Sequence, residues 1–241
     1  MRVIVTKDYE EMSRTAFLIV KEVVASKPDA VLGLATGTTP IGLYREMARD
    51  CKENGTSYQC VHTVNLDEYE GLDGSNPQSY RYFMDKNLFE HIDIKRENTH
   101  IINGTAKDAD AECARFNALL LELPQDIQIL GIGSNGHIAF NEPGTPFDSE
   151  THVVTLAEST VRDNARLFER EEDVPRRALT MGLKNIMNAK KIVILATGAN
   201  KAKAILGLVK GEVTEALPAS ILQRHPDCTV IADEEAAKLL R

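Results

Sequence analysis

The chain has 241 residues, 43% hydrophobic and 27% charged, enough for one sizeable core and in the range of globular proteins. A formal net charge of -8 and a pI near 5.3 argue against a broad nucleic-acid surface, but they leave room for a local basic pocket that takes an anionic small ligand. No apolar run reaches the roughly 18 residues of a membrane span, residues 1–6 are too short for a signal segment, and the four cysteines (Cys51, Cys60, Cys113, Cys228) lack CxxC spacing. A cytoplasmic protein with reduced thiols is expected, with neither a metal site nor a disulfide frame.

Residues 2–5 read as a short β-branched strand. From 8 to 26 the apolar positions Met12, Ala16, Ile19, Val20 and Val23 recur at helical spacing. Residues 31–34 form the next strand, and its exit, Ala35-Thr-Gly-Thr-Thr-Pro40, runs into a helix expected to reach about Arg49, with Thr39 as N-cap and Pro40 in the first turn. A third strand is expected over 61–66, followed by Asp67-Glu-Tyr69. A helix should start near Asn76-Pro77 and run to about Glu90, a short strand lies over 99–102, and a helix over 106–123.

Residues 127–132 then form a buried apolar strand that opens into Gly131-Ile-Gly-Ser-Asn-Gly-His-Ile-Ala-Phe-Asn-Glu-Pro143. Residues 144–177 are the least regular stretch. A strand over 192–196 exits at Thr197-Gly-Ala-Asn-Lys201 into a helix, Val230-Ile231 closes the sheet, and 234–240 reads as a terminal helix. Strands alternating with helices imply an α/β fold, one domain with a parallel sheet covered on both faces.

In such a sheet, ligands bind beyond the carboxyl ends of the strands, so three strand exits carry the candidates. At Thr36, Gly37, Thr38 and Thr39, backbone N–H groups, hydroxyls and a helix start can hold a phosphate; an ordinary capped helix start would look the same. The turn is not a P-loop, because no Gly-Lys-Ser/Thr follows. Lys201 is either a cation for the same anion or a solvated helix lysine. Asp67, paired with Glu68, is placed for a general base; Glu70 and Asp73 follow closely, so an acidic solvated loop is the alternative. His137, with Asn135 and Glu142 close in sequence, reads as an oriented acid–base group or as a solvated turn histidine. His62, His91, His100, His152 and His225 have no comparable setting.

Leu32-Gly-Leu-Ala-Thr-Gly-Thr-Thr-Pro40, Asn65-Leu-Asp-Glu-Tyr-Glu-Gly-Leu72 and the stretch 131–143, with Asn164-Ala-Arg-Leu-Phe168 and Ala178-Leu-Thr-Met-Gly182, resemble the isomerising glucosamine-6-phosphate deaminases. The resemblance implies a modified Rossmann-type fold and the conversion of glucosamine 6-phosphate and water to fructose 6-phosphate and ammonia, without cofactor. On this likeness Thr36 to Thr39, Arg166 and Lys201 hold the phosphate. His137, oriented by Glu142, opens the sugar ring, and Asp67 moves a proton from C2 to C1. A mobile lid over about 155–175 carries Arg166 inward.

The chain departs from many members at Thr38, where a second glycine is common, and at Asn135, where an aspartate is common. Longer relatives are hexamers activated by N-acetylglucosamine 6-phosphate, held partly by an Arg and a Lys after the Asn-Glu-Pro motif. Here His152 and Val154 stand in those places and the chain ends at Arg241, so a monomer or small homo-oligomer without that activation is expected. The competing readings are lactone hydrolysis by a 6-phosphogluconolactonase-like site, which needs no C2 base, and a sugar-phosphate effector domain. The latter normally follows a DNA-binding motif, for which a first strand at Arg2 leaves no room. No nucleic-acid or membrane partner is expected.

Overall fold

The computed structural model describes residues 1–156, 170 and 174–240. The expected lid falls mostly outside the described residues, and Arg166 lies wholly outside them. Ten strands are described: β1 Arg2–Thr6, β2 Val31–Leu34, β3 His62–Asn65, β4 Asp67–Tyr69, β5 Thr99–His100, β6 Ile127–Leu130, β7 His152–Thr155, β8 Arg177–Thr180, β9 Ile192–Ala196 and β10 Cys228–Asp233. The α-helices are α1 Tyr9–Ser26, α2 Ile41–Asn54, α3 Tyr80–Asn87, α4 Ala109–Glu122, α5 Leu183–Met187 and α6 Ala202–Lys210. None is long and apolar enough to cross a membrane.

Seven strands form one parallel sheet in the order β1-β10-β9-β6-β2-β3-β5. Alternate residues along each strand face opposite layers. Val31, Val64, Leu130, Ile192 and Ile194 pack with α4, α5 and α6, whereas Leu32, Leu34, Ile129, Val193 and Leu195 pack with α1, α2 and α3. The chain leaves β2 toward β3 on one side, and β6 returns on the other. That reversal opens a crevice at the carboxyl ends of β2 and β6.

The helix starts follow side-chain caps more than apolar spacing. Asp8 accepts from Glu11 N–H, Ser79 from Tyr82 N–H and Asp108 from Ala111 N–H, so α3 and α4 begin three residues later than the apolar pattern suggests. The expected Thr39 cap is absent: Pro40 takes the cap position without a side-chain bond, and Tyr9 Oη accepts the Gly42 N–H at 2.7 Å. α2 runs past Arg49 to Asn54, where Gly55 stops it.

Four further expectations are corrected. The stretch read as one strand over 61–66 ends at Asn65, and Asp67 starts a second, antiparallel sheet in the order β4-β8-β7. That sheet also gives structure to both ends of the stretch read as irregular. The last strand, β10, lies inside the main sheet between β1 and β9. Residues 234–240 form turns and not a regular helix: the Asp233 carboxylate and carbonyl take the Ala236 and Ala237 N–H groups as at a helix start, but the Leu240 N–H bonds the Ala237 carbonyl only three residues back.

Candidate active site

A cleft of about 500 Å³ opens over the carboxyl ends of the central strands. It brings together Thr36, Gly37, Thr38, Thr39, Asp67, His137 and Lys201, which lie far apart in sequence. Gly37 has φ of +88°, which only glycine adopts without strain, so the turn lets its backbone follow a ligand closely. Lys201 ends a short helical turn at the exit of β9. That exit is anchored by the Asp233 carboxylate, which accepts from the Thr197 hydroxyl and the Gly198 N–H.

The two adjacent acids part company in three dimensions. In the extended backbone of β4, neighbouring side chains point to opposite faces. Asp67 faces the cleft and is 6% exposed; burial, with a smaller contribution from Glu68, pushes its carboxyl up to about 8. Glu68 turns away and accepts from the N–H groups of Tyr69 (2.9 Å), Tyr80 (2.9 Å) and Arg81 (3.0 Å), capping α3. Burial outweighs those three donors and pushes Glu68 up to about 6. Of the two, Asp67 lines the cleft and Glu68 caps α3.

The loop after β6 is built around His137. The Gly133 N–H donates to the His137 carbonyl at 2.9 Å, and the imidazole lies directly on Gly133: a Cβ there would stand 2.5 Å from the ring. Ala139 holds a left-handed backbone, φ 52°, in the tight turn bridged between Ile138 and Asn141. Such a non-glycine position costs about 1 kcal/mol. Asn141, fully buried, repays it by clamping the carbonyls of Ile138 (3.0 Å) and Met181 (2.8 Å).

Asn135 and Glu142 do not line the cleft; they stand behind the histidine. The Asn135 side-chain carbonyl accepts the His137 N–H at 3.1 Å, while its amide donates to Glu142 Oε2 at 2.7 Å. Glu142 Oε1 then lies 3.5 Å from His137 Nδ1, within ion-pair reach but longer than a formed hydrogen bond.

Sequence reasoning misses the aromatic wall. Tyr69, Tyr80 and Phe140 line the cleft beside Asp67 with ring centroids 4.9 to 6.1 Å apart. Leu156 and Val174 pack against the same cluster. The wall assembles from three separate segments, so no local pattern announces it. Ser134, Gln78 and Asn200 also reach the cleft. His62 and His100 stack on each other at the β3–β5 edge, and His225 is buried with Nε2 2.7 Å from the Ala189 carbonyl.

A family model described as glucosamine-6-phosphate isomerases/6-phosphogluconolactonase matches residues 9–231. The chain belongs to that family. It is 52% identical to a glucosamine-6-phosphate deaminase of Thermoanaerobacter pseudethanolicus over 241 residues, covering all of this chain and 95% of the relative. A glucosamine-6-phosphate deaminase of Clostridium perfringens is 48% identical, with both chains fully covered. Among solved structures, one described as a monomeric glucosamine-6-phosphate deaminase matches with a TM-score of 0.97 at 49% identity, over 99% of this chain and 100% of that one. A 6-phosphogluconolactonase from Trypanosoma brucei shares the fold at a TM-score of 0.80 and 19% identity, over 100% of this chain and 98% of that one.

Asn135 sits between His137 and Glu142. An amide serves both neighbours, accepting from the His137 N–H and donating to Glu142. An aspartate there would set a second carboxylate against Glu142.

Proposed function

We propose that this chain deaminates and isomerises glucosamine 6-phosphate to fructose 6-phosphate and ammonia in amino-sugar metabolism. The observation that carries the reading is a buried carboxylate, Asp67, in the same cleft as His137, which Glu142 backs, and a glycine turn with a lysine. The relatives at 48–52% identity over the whole chain support the same activity.

Thr36 to Thr39 and Lys201, with Arg166 supplied by the chain outside the described residues, hold the substrate phosphate. His137, steered by Glu142, moves the proton between the ring oxygen and O1 that opens the pyranose to the aldehyde. Asp67, ionised, removes the C2 proton to give an enolamine and returns that proton to C1, leaving a ketimine at C2. Water adds to C2 and ammonium leaves, giving the ketose. The substrate's own ammonium at C2 arrives beside Asp67 and favours its ionised form. Each positioned proton transfer contributes typically about 10²–10⁴-fold, with the phosphate contacts holding the sugar in register. The aromatic wall excludes water while the enolamine exists.

A sugar phosphate as substrate suits the cytoplasm, and the monomeric deaminase at 49% identity supports a monomer or small oligomer. The test is to incubate purified protein with glucosamine 6-phosphate and measure fructose 6-phosphate and ammonium in equal amounts. Turnover of 6-phosphogluconolactone without ammonia release would refute the assignment.

A further inference from the structure

The turn assigned to the phosphate is held from beneath by two tyrosines. Tyr9, from α1, bridges the two sides of the turn's exit: its hydroxyl accepts the Gly42 N–H at 2.7 Å and donates to the Thr38 carbonyl at 3.1 Å. Tyr44, fully buried in α2, donates to the Ala35 carbonyl. In a trans peptide the C=O and the following N–H point in opposite directions. A carbonyl drawn toward a tyrosine hydroxyl therefore aims the next N–H the other way. Tyr44 fixes the peptide ending in the Thr36 N–H, and Tyr9 fixes the peptide ending in the Thr39 N–H. Gly37, at φ +88°, lies between them, and Thr36 to Thr39 all line the cleft. Neither tyrosine is among the residues lining the cleft.

We propose that Tyr9 is a positioning residue for phosphate recognition, with Tyr44 in a supporting part: its hydroxyl sets the Thr38–Thr39 peptide so that the Thr39 N–H is presented to the substrate phosphate. The inference rests on the assignment of the 36–39 turn to the phosphate. Without the hydroxyl, the Thr38 carbonyl keeps, among the described residues, the Ile41 N–H at a long 3.4 Å, and the peptide is freer to rotate. The Gly42 N–H at the start of α2 also loses its acceptor.

The test compares Tyr9→Phe, which keeps the ring and its packing, with Lys201→Ala and the unaltered protein. KM and kcat for glucosamine 6-phosphate and the inhibition constant of inorganic phosphate are measured, with thermal melting alongside. Tyr9→Phe is expected to raise both KM and the phosphate inhibition constant about 3- to 10-fold, the range of one net hydrogen bond, while kcat changes less than twofold. A role in fold stability alone would lower the melting temperature and leave the phosphate inhibition constant in place; that result would overturn the proposal. If Lys201→Ala weakens phosphate and Tyr9→Phe does not, the phosphate site stands and the role of Tyr9 falls. If neither variant weakens phosphate, the assignment of the turn falls first and the proposal with it.

Discussion

Asp67→Asn should produce a protein that is less active and more stable, and the gain in stability should grow with pH. Burial first, and the neighbouring Glu68 second, raise the Asp67 carboxyl from 3.8 to about 8. In the unfolded chain the group ionises near 3.8, so between these values the native state holds a proton that the unfolded state has released. Unfolding is then favoured as pH rises, by about 1.4 kcal/mol for each unit. The stability this group contributes is fully present below pH 3.8 and is lost progressively up to about 8. From pH 5 to pH 8 the loss reaches about 4 kcal/mol as an upper bound, and about 2 kcal/mol if water in the cleft screens half of it.

An asparagine of nearly the same shape has no proton to release, so its advantage over the native protein should widen by that amount. Urea unfolding of both proteins at pH 5 and pH 8 reads the difference directly, and constant effects of the substitution cancel between the two pH values. Activity should move the opposite way, with kcat falling about 10²–10⁴-fold. With substrate deuterated at C2, the native enzyme should deliver that deuterium to C1 of the product, and the variant should not. A stability difference that stays flat between pH 5 and pH 8 would refute the burial argument, and near-native turnover by the variant would refute the proton-transfer role.

Other outcomes follow from the same geometry. Glu142→Gln should slow turnover of the cyclic sugar much more than turnover of substrate presented in open-chain form, because Glu142 acts through His137 on ring opening; equal damage to both would assign His137 to another step. Gly133→Ala places a Cβ 2.5 Å from the His137 ring and must displace it; kcat should fall at least tenfold with KM little changed, and a near-native kcat would show that the ring need not lie on Gly133. N-acetylglucosamine 6-phosphate should not activate the enzyme, and substrate curves should be hyperbolic. His152 Nδ1 already lies 2.7 Å from the Glu150 carbonyl, and Val154 packs against the aromatic cluster, so neither offers a phosphate grip. A sigmoidal curve made hyperbolic by that compound would contradict this.

The parallel strands are legible in the sequence because burial on both faces leaves them as short apolar runs: 31–34, 127–130 and 192–196 lie where those runs stand. Their exits are legible for the same reason, since polar and glycine residues begin where the runs stop. The smaller sheet is not. β4 consists of Asp67, Glu68 and Tyr69, and its burial comes from partners more than a hundred residues away in β8. Read locally, the acids fit a general base or a solvated loop, and only tertiary packing separates the buried Asp67 that faces the cleft from the Glu68 that caps α3. The helix starts err for a related reason. The cap expected from Thr39 is replaced by a hydroxyl from Tyr9, which lies 33 residues before the N–H it serves. The ends that follow local caps, at Asp8 and Asp108, are within reach of sequence reasoning because donor and acceptor are three residues apart.

The placement of Asp67 depends on a register that leaves little freedom. A strand sends successive side chains to opposite faces, so of two adjacent acids only one can enter the cleft. Pairing of Asp67 with Thr180 and of Glu68 with Leu179 fixes which. Slipping β4 by one residue would put Glu68 into the cleft and take its carboxylate away from the Tyr80 and Arg81 N–H groups at the start of α3 and from the Tyr69 N–H. Each orphaned, buried donor costs about 1–3 kcal/mol. The cap on α3 therefore holds the strand in the register that turns Asp67 into the cleft. Glu68 does not line the cleft, yet its cap decides which carboxylate does. The burial that makes Asp67 costly to ionise and the cap that keeps it there come from the same short strand, so base strength and base position cannot be tuned separately.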